Sequence, residues 1–173
     1  HSRNAPRRPV PGHHSLLTWL PLVLALVCPG RLFAQDEALR ASVRVEQLFD
    51  REDLARAARM VDSLRPAAAT DDRMKLVVVC ADARLLWYKG KSLDGYDRLD
   101  TVTTLAEDAP DRLKLVFLIT RARLLADLAL NDEARRDAHG ANVLARRASE
   151  PELLAVAIIL EAQLDKRSGA YDG

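Results

Sequence analysis

The strongest constraint on this chain is a frame that returns after 39 residues. Arg73-Met74-Lys75-Leu76-Val77, followed by Ala83-Arg84-Leu85-Leu86, comes back as Arg112-Leu113-Lys114-Leu115-Val116, followed by Ala122-Arg123-Leu124-Leu125. A weaker third copy opens at Glu152-Leu153-Leu154-Ala155-Val156 and puts Ala162 and Leu164 in the matching places. Recurrence at about this period marks stacked helical hairpins, because one hairpin of that size cannot bury its apolar face alone. Such stacks are usually binding surfaces, so the frame predicts an all-α architecture and a shared core before it predicts any chemistry.

Ala, Leu, Arg and Glu are strong helix formers, and no alternating strand pattern of convincing length occurs. Val77-Val78-Val79 is the most strand-like stretch, but it runs on into a helical frame. The spacing predicts a first helix over about 36–49 and a second carrying Leu54, Ala58, Val61 and Leu64 on one face. Arg65-Pro66 is expected to close the second helix, since the residue before proline is disfavoured in a helical conformation. Asp71 or Asp72 is expected to cap a third helix over about 72–88, ended by Gly90. Ser92 is expected to cap a single fourth helix carrying Leu93, Tyr96, Leu99, Val102 and Leu105. A fifth helix is expected over about 111–129, a sixth from Ala134 onward, and a seventh from Pro151 to Lys166. Short connections make successive helices antiparallel.

The first 34 residues read as a leader. Arg3, Arg7 and Arg8 precede an apolar run from Leu16 to Cys28, shorter than the ~20 residues that span a bilayer and suited to the core of a secretory signal. Leu32-Phe33-Ala34 supplies a cleavage site before Gln35; an uncleaved anchor is the competing reading. Twin-arginine export through Arg7-Arg8 and lipidation at Cys28 are disfavoured by Pro9-Val10-Pro11 and by Val27, respectively. The expected organisation is a signal peptide over 1–34, an N-terminal helical hairpin over 35–70 and repeats over 71–173, the last incomplete. The ending Ser168-Gly169-Ala170-Tyr171-Asp172-Gly173 reads as the turn inside a third hairpin, so the sequence reads as a fragment of a longer exported protein.

The leader also sets the charge balance. The chain has 26 basic and 25 acidic residues. Four basic residues (Arg3, Arg7, Arg8, Arg31) and no acidic one lie in the leader, leaving a net charge of −3 on the rest. The basic isoelectric point is thus no argument for nucleic-acid binding. Cys80 is the only cysteine after the leader, so no internal disulfide framework is expected. Its apolar surroundings predict a buried, unreactive thiol.

On these residues the chain resembles the tetratricopeptide repeats, in a form with a repeat of about 40 residues; another helical solenoid is the competing reading. The family places a small residue midway along the first helix of each hairpin, where Ala83, Ala122 and Ala162 stand. It places a small residue after that helix (Gly90, Ala129, Gly169) and another early in the second helix (Gly95, Ala134). Pro110 and, two residues displaced, Pro151 match its prolyl break. The fit is good over 72–173 and loose over 36–66, and Val102 departs from it where a small residue is expected. The resemblance implies a TPR-like α-solenoid whose first helices line a concave groove. It places Arg84, Trp87 and Tyr88 in that groove from one copy, Arg123 and Asp127 from the next, and Gln163 and Arg167 from the third. An aromatic beside a row of guanidinium groups suits a peptide carboxylate or acidic segment; the plainer reading packs Trp87 on the next hairpin and leaves the arginines in water.

No catalytic set is legible, no cofactor is implied, and no metal site is expected. His139 is the only histidine after the leader and reads as a solvated helix residue. Asp71-Asp72 and Asp132-Glu133 stand at helix starts, where they complement the helix dipole. The expectation is a noncatalytic exported module binding protein or peptide. The resemblance implies the periplasmic sensory part of a signal-transduction receptor of histidine kinase or diguanylate cyclase type, tethered through a missing C-terminal region. A free-standing periplasmic scaffold or assembly factor is the alternative.

Overall fold

The computed structural model describes the backbone of residues 29–167 and the side chains of residues 37–167, so the proposed leader run and the final turn lie outside the described residues. Its elements are α1 (Pro29–Asp50), α2 (Leu54–Ala68), α3 (Asp72–Tyr88), α4 (Ser92–Asp100), α5 (Thr103–Glu107), α6 (Asp111–Asp127), α7 (Asn131–Ala148) and α8 (Pro151–Arg167). No strand occurs among the described residues. None of the described helices is long and apolar enough to cross a membrane.

Local chemistry sets most boundaries. The Asp53 carboxylate accepts from the Arg56 amide at 3.0 Å and opens α2. Asp71, not Asp72, caps α3, accepting from the amides of Arg73 and Met74. Gly90 takes φ +70° after α3, and the Lys91 amide reaches back to the Leu86 carbonyl at 2.9 Å, tying off the orphan carbonyls of the last turn. Ala129 follows α6 with φ +60°, and the Leu130 amide reaches the Leu125 carbonyl at 2.9 Å. An alanine thus does at one hairpin what a glycine does at the other.

Four expectations need correction. α1 spans Pro29–Asp50 and so begins ahead of the start expected near residue 36. α2 continues through Pro66 to Ala68. Pro66 lies on the exposed side, where water can take the carbonyl that its missing N–H leaves free, and only the last turn is affected. The expected fourth helix is two, α4 and α5, broken at Val102 (φ −122°). The break falls in Thr101-Val102-Thr103-Thr104, a β-branched run, and the Thr101 hydroxyl donates back to the Arg98 carbonyl at 2.8 Å. Such bonds compete with the helix, and Val102 leaves it to become fully buried. Ser92 does not cap α4; Lys91 holds that position without a side-chain bond, and the Ser92 hydroxyl donates to Asp127 at 3.1 Å.

From Ala34 onward the chain belongs to one compact unit. Within it α3 packs on α2, α4 and α6, and α6 packs in turn on α4, α7 and α8. Enclosure on several sides explains why Leu76 to Ala81 are all buried, the valine triplet included. Three apolar clusters result. The largest joins Ala38 and Ala41 of α1 with Leu76, Val79, Leu99, Val102, Leu115, Phe117 and Leu153. A second holds Val45, Phe49, Ala57, Val61, Val78, Ala81 and Leu85. A third holds Ala122, Leu125, Ala134, Ala138, Leu160 and Leu164.

Small residues set the closest approaches. A Cβ on Gly95 would sit 3.0 Å from the Ala83 carbonyl oxygen and 2.9 Å from Leu124 Cδ2. Ala122 and Ala134, the matching pair one hairpin on, are both fully buried in one cluster. Ala162, the third residue of that series, is exposed.

Candidate functional site

A cavity of about 250 Å³ opens between the C-terminal end of α3 and the facing sides of α6 and α8. Trp87, Arg123, Asp127, Gln163 and Arg167 line it, together with apolar Ala126, Val156, Ile159, Leu160 and Leu164. The structure thus brings together five of the seven groove residues expected from sequence. They meet because α3, α6 and α8 are successive neighbours, so positions one repeat apart stand side by side.

Arg123 is the chemical centre of the cavity. Its guanidinium carbon lies 5.6 Å from the centroid of the Trp87 ring, in cation–π range. No carboxylate among the described residues comes within ion-pair distance of it. Burial lowers its pKa to about 10, the positive charge of Arg84 adds to the shift, and Glu46, Tyr88 and Asp50 oppose it. Arg123 is still protonated at neutral pH, as a cation without a close counter-charge. Ile159 stands at the mouth, 58% exposed. Arg167 donates to the Ala126 carbonyl at 3.2 Å, and the Asp127 carboxylate accepts from Ser92. Gln163 is exposed.

The remaining two residues stand elsewhere. Tyr88 is stacked on Phe49 with ring centroids 5.9 Å apart and meets Trp87 edge-on at 4.9 Å. Arg84 is 5% exposed and does not line the cavity. It donates to Glu46 at 2.5 Å, approaches Asp50 at 3.9 Å and lies over the Phe49 ring at 4.3 Å. The expected row of solvent-facing guanidinium groups is therefore interrupted, because α1 supplies an internal counter-charge. Sequence reading missed Glu46, because the 39-residue frame sets Val45, not Glu46, at the place matching Arg84. Ile159 and Val156 were missed as well, because the third copy was matched through Ala162 and Gln163.

Elsewhere, Asp132, Glu133, Arg135, Arg136, His139, Glu161 and Asp165 line an open depression between α7 and α8. His139 is exposed, with Nδ1 3.0 Å from Glu161 Oε1. Arg135 pairs with Asp165 at 3.1 Å. No group of three or more His, Cys, Asp or Glu side chains among the described residues is placed to hold a metal ion. Cys80 is buried, and burial, followed by the Glu46 charge, pushes its thiol far above the ordinary range.

Compared with known proteins, the chain matches no family model, no curated protein and no solved structure.

Proposed function

We propose that this chain is a noncatalytic helical-repeat module of tetratricopeptide type that binds protein or peptide in the cavity between α3, α6 and α8. The observation that carries the reading is the convergence of Trp87, Arg123, Asp127, Gln163 and Arg167, from three copies of one sequence frame, on a single concavity. Two further features support it. The Gly95–Ala83 approach and the buried Ala134–Ala122 pair fall at matching places in consecutive hairpins. The mouth combines an aromatic ring, an exposed isoleucine and a cation without a counter-charge, the mixture that makes energetically dominant contacts at protein interfaces. Export, and service as the periplasmic input region of a signalling receptor, belong to the same proposal and rest on the basic and apolar leader.

A photo-crosslinking amino acid at Ile159 tests the binding reading in the native cell. A polypeptide captured there, but not from the equally exposed Val143 on α7, and lost on Trp87→Ala, is the expected result. Equal capture from both positions would sink the assignment of this face.

A further inference from the structure

We propose that the cavity is a receptor for an apolar monocarboxylate: one carboxylate on a hydrocarbon body the size of a single side chain. This rests on the cavity assigned above and adds the chemistry of its occupant.

The case begins with charge. Three guanidinium groups lie on or near the cavity, but Arg84 is matched by Glu46 and Arg167 is turned to the Ala126 carbonyl. Neither Arg123 nor Arg167 has an ion-pair partner among the described residues, but Arg167 is exposed, so Arg123 is the one unmatched cation withdrawn from water. A run of acidic side chains would find one desolvated cation here, with Arg167 exposed to water, and would meet the Asp127 carboxylate, with Glu46 and Asp50 behind it. One carboxylate on Arg123 gives a charge-assisted pair in partly desolvated surroundings, where such pairs are strongest. Size comes next. About 250 Å³ is room for one large side chain or a small acid, not for a length of extended peptide. The walls then set polarity. Trp87 flanks Arg123 on one side, and Val156, Ile159, Leu160 and Leu164 cover the other, so the body attached to the carboxylate is hydrocarbon. The C-terminal residue of a partner chain and a free small carboxylic acid share this chemistry.

The test uses the full chain carrying Trp19→Phe, which leaves Trp87 as its only tryptophan. Indole fluorescence is titrated with Gly-Gly-Leu, its C-terminal amide, 4-methylpentanoate, 4-methylpentanamide and glutarate. Saturable binding of the acids, weakened about 10- to 100-fold in the amides, is the expected result. Arg123→Met and Ile159→Asp should each abolish the preference, with circular dichroism confirming that both variants stay helical. Gly-Gly-Leu binding more tightly than 4-methylpentanoate identifies a chain terminus as the source; the reverse order identifies a free acid. Equal binding of acid and amide, tighter binding of glutarate, or no saturable response overturns the proposal. A polypeptide captured at Ile159 with no response to any acid would leave the protein-binding reading standing and remove this one. Acid binding without capture would do the opposite.

Discussion

Arg84 and Glu46 form an ion pair at 2.5 Å whose two side chains are only 6% and 15% exposed. The pair joins α3 to α1 and takes Arg84 out of the groove. Removing one partner leaves a withdrawn charge without its mate, which is far worse than removing both. Arg84→Ala should therefore destabilise the protein by about 3–5 kcal/mol, and the double change Arg84→Met, Glu46→Leu should recover most of that. Urea unfolding of the two singles and the double checks this; additive losses would show that the contact contributes little.

Arg123 has the opposite sign. Its charge is partly desolvated without a close counter-ion, so Arg123→Met should stabilise the fold by roughly 1 kcal/mol, net of the lost contact with Trp87. At neutral pH both folded and unfolded forms are protonated and the penalty is constant. It lifts only as pH rises above about 10, where the unfolded form, with its higher ordinary value, still holds its proton. A fall in the melting temperature of Arg123→Met would contradict this account.

Two α-helical glycines, Gly95 and Gly140, should respond in opposite directions to alanine. Gly95→Ala would drive a Cβ against the Ala83 carbonyl oxygen at 3.0 Å. The resulting strain of ~1–3 kcal/mol outweighs the ~1 kcal/mol gained in helix propensity. Gly140 in α7 meets only Leu118 Cδ1 at 3.7 Å, so Gly140→Ala should stabilise by ~0.5–1 kcal/mol. Ala83→Leu or Ala122→Leu should lower stability by ~1–3 kcal/mol through overpacking. Thermal unfolding of the four variants decides whether the small residues stand where the helices touch.

Ala129 holds φ +60° after α6, a conformation that disfavours a Cβ by roughly 1–2 kcal/mol. Ala129→Gly should raise stability by about 0.5–1 kcal/mol once the extra freedom of the unfolded glycine is deducted. No gain in a denaturant titration would mean that the turn is not strained.

Cys80 ties stability to alkaline pH. Burial raises its thiol pKa above the ordinary 9.0, so the contribution is complete below that value and is lost as pH climbs through and beyond it. Relative to Cys80→Ala, the native protein should lose about 1.4 kcal/mol per pH unit above roughly 9. Parallel unfolding free energies of the two proteins between pH 8 and 10.5 would refute it.

Much of the fold was legible because the frame repeats. α3 is bounded as its cap, periodicity and terminal glycine indicate, and the five cavity residues follow from one register carried through three copies. What escaped the sequence depends on partners that no local pattern displays. Pro66 does not end α2, because its lost hydrogen bond faces water. Val102 breaks the fourth helix, because a buried place in the largest cluster outweighs continuity of the helix. Arg84 turns inward, because α1, whose match to the frame is loose, carries Glu46 within reach of it, one residue out of the 39-residue register.

The division of the apolar interior into three clusters bears on how the molecule comes apart. Val61 and Phe49 share no cluster with Ala134 and Leu164, and the two ends meet only through the largest cluster, which runs from Ala38 and Ala41 to Leu153. Amide protons near Ala134 and Leu164 should therefore exchange independently of those near Val61, with α3 and the middle of α6, held in the largest cluster, slowest of all. A ligand seated between α3, α6 and α8 would knit the later end to the middle, and its signature would be a slowing of exchange confined to one half of the chain.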